Sequence, residues 1–170
     1  MSAVIFVIPG QPVGKGRPRA VRAGKSMRMI TPPKTREHER CVRLVAAEAF
    51  DGECWSGPVR VDILALMKRP KRLRRKKDPD VMFCTSKPDA DNIRKAVLDG
   101  IQAAGVIGDD SQVVDGRTVK LYASKSGRPL TIVRMTRCDS VETYWQDTWL
   151  YRMTEGARVA GHDLAEFRDE

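Results

Sequence analysis

Nine residues, Val59–Met67 (VRVDILALM), constrain this chain more than any others. They open with the alternation Val59, Val61, Ile63 and continue apolar apart from Asp62, the pattern of a central β-strand. Such a strand needs neighbours and cover, and the chain supplies candidates for both. Residues 3–8 (AVIFVI) are apolar, β-branched and ended by Pro9-Gly10, which predicts a first strand buried on both faces. Residues 113–123 and 129–136 predict two further strands, joined as a hairpin through a connection containing Gly127.

The cover is helical. Between the Pro32-Pro33 stop and Gly52, apolar Cys41, Val42, Leu44, Val45, Ala46, Ala49 and Phe50 recur at helical intervals from residue 34 to about 50. A second stripe, Ile93, Ala96, Val97, Gly100, Ile101 and Ala104, predicts a helix over 92–104, with Gly105 where a C-terminal cap belongs. The expectation is an α+β single domain over residues 1–138, a mixed β-sheet with two main helices. Residues 139–170 are expected to form a separate acidic extension with one more helix over 141–160, in which Val141, Trp145, Thr148, Trp149 and Arg152 would share roughly one face suited to packing or self-association.

Charge divides at the same boundary. Residues 1–138 carry 28 Lys and Arg against 14 Asp and Glu, whereas 139–170 carry 3 against 8, so the formal charge of +9 understates how basic the first part is. From Lys15 to Arg28 there are six basic residues and no acid, and the run of 68–77 (KRPKRLRRKK) has eight basic residues in ten. One such run is as readily a solvated loop; two on a small domain favour a phosphate-binding surface, and nucleic acid is the leading partner. Phosphate contacts are expected from Lys15, Arg17, Arg19, Arg69, Lys71, Arg72, Arg74, Arg75, Lys76 and Lys77.

Several chemistries are excluded. Gly10-Gln-Pro-Val-Gly14-Lys15-Gly16 is one residue short between its glycines and has Gly where a P-loop needs Ser or Thr, so no nucleotide site of that type is expected. Its density of Gly and Pro instead predicts a backbone lying close to a ligand or another element. Cys41, Cys54, Cys84 and Cys138 form no C-x-x-C pair, and His38 and His162 are too few for a zinc site. No apolar run approaches the roughly 18 residues of a membrane span. A soluble cytoplasmic protein with free thiols is expected.

Chemistry concentrates in Lys87-Pro-Asp-Ala-Asp-Asn-Ile-Arg-Lys95 and in Asp109-Asp110. Pro88 keeps its predecessor out of the helix, and in an extended segment Asp89 and Asp91 point the same way. Two carboxylates about 4 Å apart at an effective dielectric of 20 repel by about 4 kcal/mol, so a cluster requires a cation or a proton. Mg²⁺ is the natural partner for hard oxygens beside phosphate, with Mn²⁺ as a substitute. Lys95, four residues past Asp91, could neutralise charge on a scissile phosphate. A helix of about thirteen residues is roughly 20 Å long, however, so a following strand or a partner chain must bring Asp110 back. The local pattern also admits a plainer reading, with Asp89 or Asp91 as an N-cap, Asp91 and Lys95 as a surface pair, and Asp109-Asp110 as a turn. Asp99 and Asp115 are taken as structural.

KPDADNIRKAVLDGI, GDDSQVVD and the closing SKSGRPLTIV together resemble the RusA family of Holliday junction resolvases, and PGQPVGKGRPR resembles the opening loop of its phage-type members. The resemblance runs from about Ile5 to Thr136 and excludes the acidic tail. It implies a Mg²⁺-dependent endonuclease, acting as a homodimer, that nicks opposing strands of a four-way DNA junction. The family's functional residues fall on Asp89, Asp91, Lys95 and Asp110, with metal ligation by Asp89, Asp91 and Asp110 and an indirect role for Asp109. Two rival readings are a nuclease for other branched DNA and a non-catalytic basic nucleic-acid-binding module.

Overall fold

The computed structural model describes residues 3–138 apart from Lys25. At its centre stands β4 (Val59–Met67), every odd-numbered residue of which is buried while the even-numbered ones are half-exposed. Burying Val59, Val61, Ile63 and Met67 stabilises the domain by about 1.5–3 kcal/mol each, so this strand organises the sheet. Along one edge β4 pairs antiparallel with β7 (Leu130–Arg137), which in turn pairs antiparallel with β1 (Ala3–Pro9). Along the other edge it pairs in parallel with β5 (Val113–Asp115) and β6 (Thr118–Tyr122). The α+β class and the mixed sheet are thus as expected.

Two of the strand expectations require correction. The predicted hairpin between 113–123 and 129–136 does not exist, because β6 and β7 lie on opposite edges of β4. A local turn signal cannot reveal that a third strand is inserted between the two it joins. The 113–123 segment is also broken at Gly116, whose φ of +134° lets its backbone approach the Val61 carbonyl so closely that a Cβ there would stand 1.8 Å from the oxygen. Second, β1 is an edge strand buried on one face: Phe6 and Ile8 face the core, while Ile5 and Val7 are exposed.

Both helices lie where their stripes put them. α1 (Pro33–Ala49) starts with Pro at its first turn, where a missing N–H is harmless, and buries Thr35, His38, Val42 and Ala46 at helical spacing. α2 (Ala90–Ala103) buries Ile93, Ala96, Val97, Leu98, Gly100 and Ile101. The helices cross at Gly100, where a Cβ would stand 2.5 Å from the Val42 Cβ. α2 ends as predicted at Gly105, in the left-handed region at φ +75°.

A further pair of strands was not foreseen. β2 (Arg19–Ala23) and β3 (Ser26–Ile30) form a separate two-stranded antiparallel ribbon, turning at Gly24 with φ +65°. Its basic residues mask the alternation that would have marked it. The helix expected in the tail lies outside the described residues. Among the described residues, no helix is long and apolar enough to cross a membrane, and Cys41, Cys54 and Cys84 are free thiols.

Candidate active site

The site is built around the first turn of α2. Asp89 occupies the N-cap position in an extended conformation, yet its side chain makes no capping hydrogen bond. The plainer reading of Asp89 as a cap therefore does not hold for its carboxylate. Asp91 is exposed in the first turn of the helix, with the Asn92 amide donating to it at 3.4 Å. The preceding Lys87–Pro88 peptide is cis.

The glycine-rich loop of residues 10–18 lies against this turn. The Lys15 N–H donates to the Asn92 carbonyl at 2.7 Å. A Cβ on Gly14 would stand 2.7 Å from that of Pro88 and 3.1 Å from that of Asn92, so a glycine is needed for the approach. Gly16 N–H donates to the Thr35 hydroxyl at 3.1 Å, tying the same loop to α1. The close backbone approach expected of this loop is thus made to α2 and α1.

Asp110 reaches the site from the far end of α2. After Gly105 the chain folds back along the helix, where Gln102 donates to the Gly108 carbonyl at 3.2 Å and the Lys95 ammonium bonds directly to the Asp110 carboxylate. From Lys95 to Asp91 is four residues, about 6 Å along the axis. The return of Asp110 that seemed to need another strand or another chain is therefore made within this one.

Gln112 holds that return in place, and sequence reasoning missed it. Its carbonyl oxygen accepts from the N–H groups of Gly108 at 2.7 Å and Asp109 at 3.0 Å, while its amide donates to the carbonyls of Trp55 and Gly57, each at 2.9 Å. Asp109 completes a capping box by accepting from Ser111 N–H at 2.9 Å. The signal was available, since D-x-x-Q is a capping-box pattern. Hydrogen bonds from the side chain and backbone of Ser111 hold the Asp109 carboxyl below the usual carboxylate range. Asp109 is thus engaged in the turn rather than facing Asp91.

Charge at the site is continuous. Lys95 bonds to Asp110 and pairs with Asp99 at 3.2 Å; Asp99 also pairs with Lys15 at 2.6 Å, and Lys15 with Glu39 at 2.5 Å. The bonds to Asp110 and then Asp99 raise the Lys95 pKa, so the side chain is a fixed cation rather than a base. Burial acts to lower the Lys15 pKa, but the bonds to Asp99 and Glu39 outweigh it and the net shift is upward. Lys15, expected on a phosphate, is half-buried in this chain of charges, and Asp99, taken as structural, joins the site's lysine to the loop. Asp115 has the structural place expected of it, accepting from Arg60 at 3.0 Å.

Carboxylate oxygens are the donors Mg²⁺ prefers, and Asp89 spends none on a cap, so the chemistry of the donor set fits such an ion. Among the described residues, no three acidic, histidine or cysteine side chains are gathered closely enough to hold one as they stand. Asp110 takes its countercharge from Lys95.

The second basic run divides. Lys71, Arg72, Arg74, Arg75, Lys76 and Lys77 are exposed, although Arg75 pairs with Asp78 at 3.2 Å. Arg69 departs from expectation, being 1% exposed. Its guanidinium donates to the carbonyls of Leu73 at 2.6 Å, Asp80 at 3.0 Å and Pro79 at 2.6 Å, so it organises the loop and presents no charge to a phosphate. Arg17 and Arg19 are exposed.

Known proteins bear on this geometry. An uncharacterized protein of Bacillus subtilis, YqaN, is 33% identical over 132 residues, 74% of this chain and 92% of that protein. The crossover junction endodeoxyribonuclease RusA of Escherichia coli K12 is 50% identical over 48 residues, which span 28% of this chain and 40% of that enzyme. The protein of the same name from Enterobacteria phage 82 matches to the same extent. A family profile, Endodeoxyribonuclease RusA, matches residues 9–135, which contain the glycine-rich loop, α2 with both its carboxylates, and the returning Asp109-Asp110 turn. With most of the described domain matched, the chain belongs to the RusA endodeoxyribonuclease family.

Proposed function

We propose that this chain is a Mg²⁺-dependent nuclease that resolves Holliday junctions by paired nicks in opposing strands. Family membership supplies the reaction class, and the observation that carries the residue assignment is the contact of Lys95 with Asp110, one helical turn from Asp91. Asp89, Asp91 and Asp110 are the residues that would hold the ion, with Mn²⁺ as a substitute. When bound, it supplies Lewis-acid polarisation of the phosphate and activation of water.

The chain's own residues have separable tasks. Lys95, held cationic by Asp110 and Asp99, places positive charge where a phosphate accumulates negative charge during hydrolysis. Gln112 fixes the turn that carries Asp110. Arg17, Arg19 and the exposed lysines and arginines of 71–77 hold DNA through its backbone, which favours recognition of junction shape over base sequence.

Paired nicking calls for two sites, and the sheet offers a means of pairing two chains. Both helices cover one face of it. On the other, Val7, Ile132, Leu64 and Val119 form a row across four strands, followed by Leu130, Leu66 and Leu121. Val7 and Val119 are 46% and 37% exposed. A contiguous apolar face of this kind suits a homodimer.

The deciding experiment incubates the full chain with a mobile four-way junction in Mg²⁺ and in EDTA, beside Asp110→Asn. Symmetric nicked duplexes from the wild type in Mg²⁺ alone are expected. Cleavage of flaps in preference to junctions would redirect the assignment to other branched DNA, and binding with no cleavage in Mg²⁺ or Mn²⁺ would leave a DNA-binding module.

A further inference from the structure

We propose that the β2–β3 ribbon is a DNA-docking arm that seats in the major groove of a duplex arm beside the active site, with Met27 and Met29 against the base edges. This rests on the nuclease reading above and adds to it a specific second contact. Five residues in each strand give a ribbon about 17 Å long that pairs with no strand of the main sheet. Met27 and Met29 are 65% and 67% exposed, on a ribbon where Val21 and Ile30 are exposed as well. A projecting ribbon that leaves this much apolar surface in water has a use for a partner.

Its pattern names the partner's chemistry. From the register, Ala20 stands opposite Met29 and Arg22 opposite Met27 on one face, while Arg19 stands opposite Ile30 and Val21 opposite Arg28 on the other. Each face therefore interleaves arginine with apolar side chains. That mixture suits a polyanion with an apolar interior, which is DNA: phosphates along the groove walls, base edges and thymine methyl groups on its floor. The major groove, about 12 Å wide, admits a two-stranded ribbon. Methionine is unbranched and polarisable and adapts to differing sequences. A second copy of the ribbon is a poor partner, because the chain has no acidic residue before Glu37 and like ribbons repel.

The ribbon is rooted at the site. β2 begins three residues after Gly16, a span of at most about 11 Å, and the Gly14–Gly16 backbone is bonded to Asn92 and Thr35. β3 leads through Thr31 and Pro32 into α1. DNA gripped by the ribbon is thereby held in register with Asp89 and Asp91.

The test separates apolar from ionic contact. Junction binding by the full chain in EDTA is measured between 50 and 200 mM salt, in wild type, in Met27→Gln/Met29→Gln and in Arg19→Ala/Arg28→Ala. The methionine pair is expected to weaken binding about tenfold at every salt concentration with the log–log slope unchanged, since no counterions are involved. The arginine pair is expected to lower the slope by about 0.9 for each residue. In an independent readout, peroxide oxidises Met27 and Met29 in the free protein, and saturating junction DNA protects them. Unchanged affinity of the methionine pair together with unprotected methionines overturns the proposal. So does a loss of dimer mass in that variant without loss of affinity, which would make the ribbon a contact between copies, or tighter DNA binding, which would make it a seat for the acidic tail. A wild type that binds no junction overturns the nuclease reading itself, and the ribbon's role falls with it.

Discussion

The proposed chemistry turns on Lys95. Its neighbours Asp110 and Asp99 raise its pKa, and a raised lysine pKa extends the charged form to higher pH. Asp99→Asn removes one of these partners, so the alkaline limb of the cleavage–pH profile should move to lower pH, and Asp99→Glu should restore it. Single-turnover rates from about pH 9 to about pH 11.5, a window that brackets the ordinary lysine value of 10.5, measure this. Lys95→Ala should reduce cleavage by at least about 100-fold while junction binding in EDTA stays within a few-fold, the pattern of a group acting chiefly in the transition state. A different residue governs acid stability. Burial acts to raise the Asp62 pKa, but hydrogen bonds from the Arg60 side chain and Arg117 N–H, with the charge of Arg134, outweigh it. A carboxyl with a depressed folded pKa contributes stability above its unfolded value near pH 4 and loses it as the pH falls through the folded one. The Tm of Asp62→Asn should therefore fall less than that of wild type between pH 5 and pH 2, read by thermal melts.

Among the elements, α2 bears both the core contact and the proposed chemistry, and two substitutions separate them. Gly100 faces Val42 at the helix crossing, and the nearest atoms to an added Cβ are the Val42 Cβ and Cγ1, which cannot swing aside as a long side chain would. Gly100→Ala should destabilise the domain by about 1–3 kcal/mol through overpacking, measured by urea denaturation. Gln112→Ala leaves that crossing intact and releases the Asp109-Asp110 turn from Trp55 and Gly57. Cleavage should drop about tenfold or more, with a loss of stability near 1–2 kcal/mol for the hydrogen bonds removed. The boundaries of α1, β4 and α2 were legible because each has a continuous apolar period with a proline or glycine stop. β2 and β3 were not, because an exposed ribbon has no buried face to set a period.

At the scale of the whole molecule, the proposed homodimer rests on the open face of the sheet. A charge in its central row, Leu64→Lys, should yield monomers by light scattering and abolish paired nicking, since each chain would then meet one strand alone. Its neighbour across the sheet, Ile132, would stand beside that charge in any sheet-to-sheet contact. The sequence by itself determined the α+β composition, the extents of its helices and central strand, and the basic character of residues 1–138. Each follows from local periodicity, from stop residues or from a sum over the chain. It also marked Asp89, Asp91, Lys95 and Asp110 as one constellation through their motif. Only the tertiary structure decided that β7 and β6 flank β4 rather than each other, that β1 is an edge, and that Asp110 folds back onto Lys95. It likewise took Arg69 out of solvent, half-buried Lys15 and drew Asp99 into the site. Those outcomes depend on which distant segments meet, and a contact between residues 66 positions apart, such as Ala65 with Thr131, leaves no period in the chain to read.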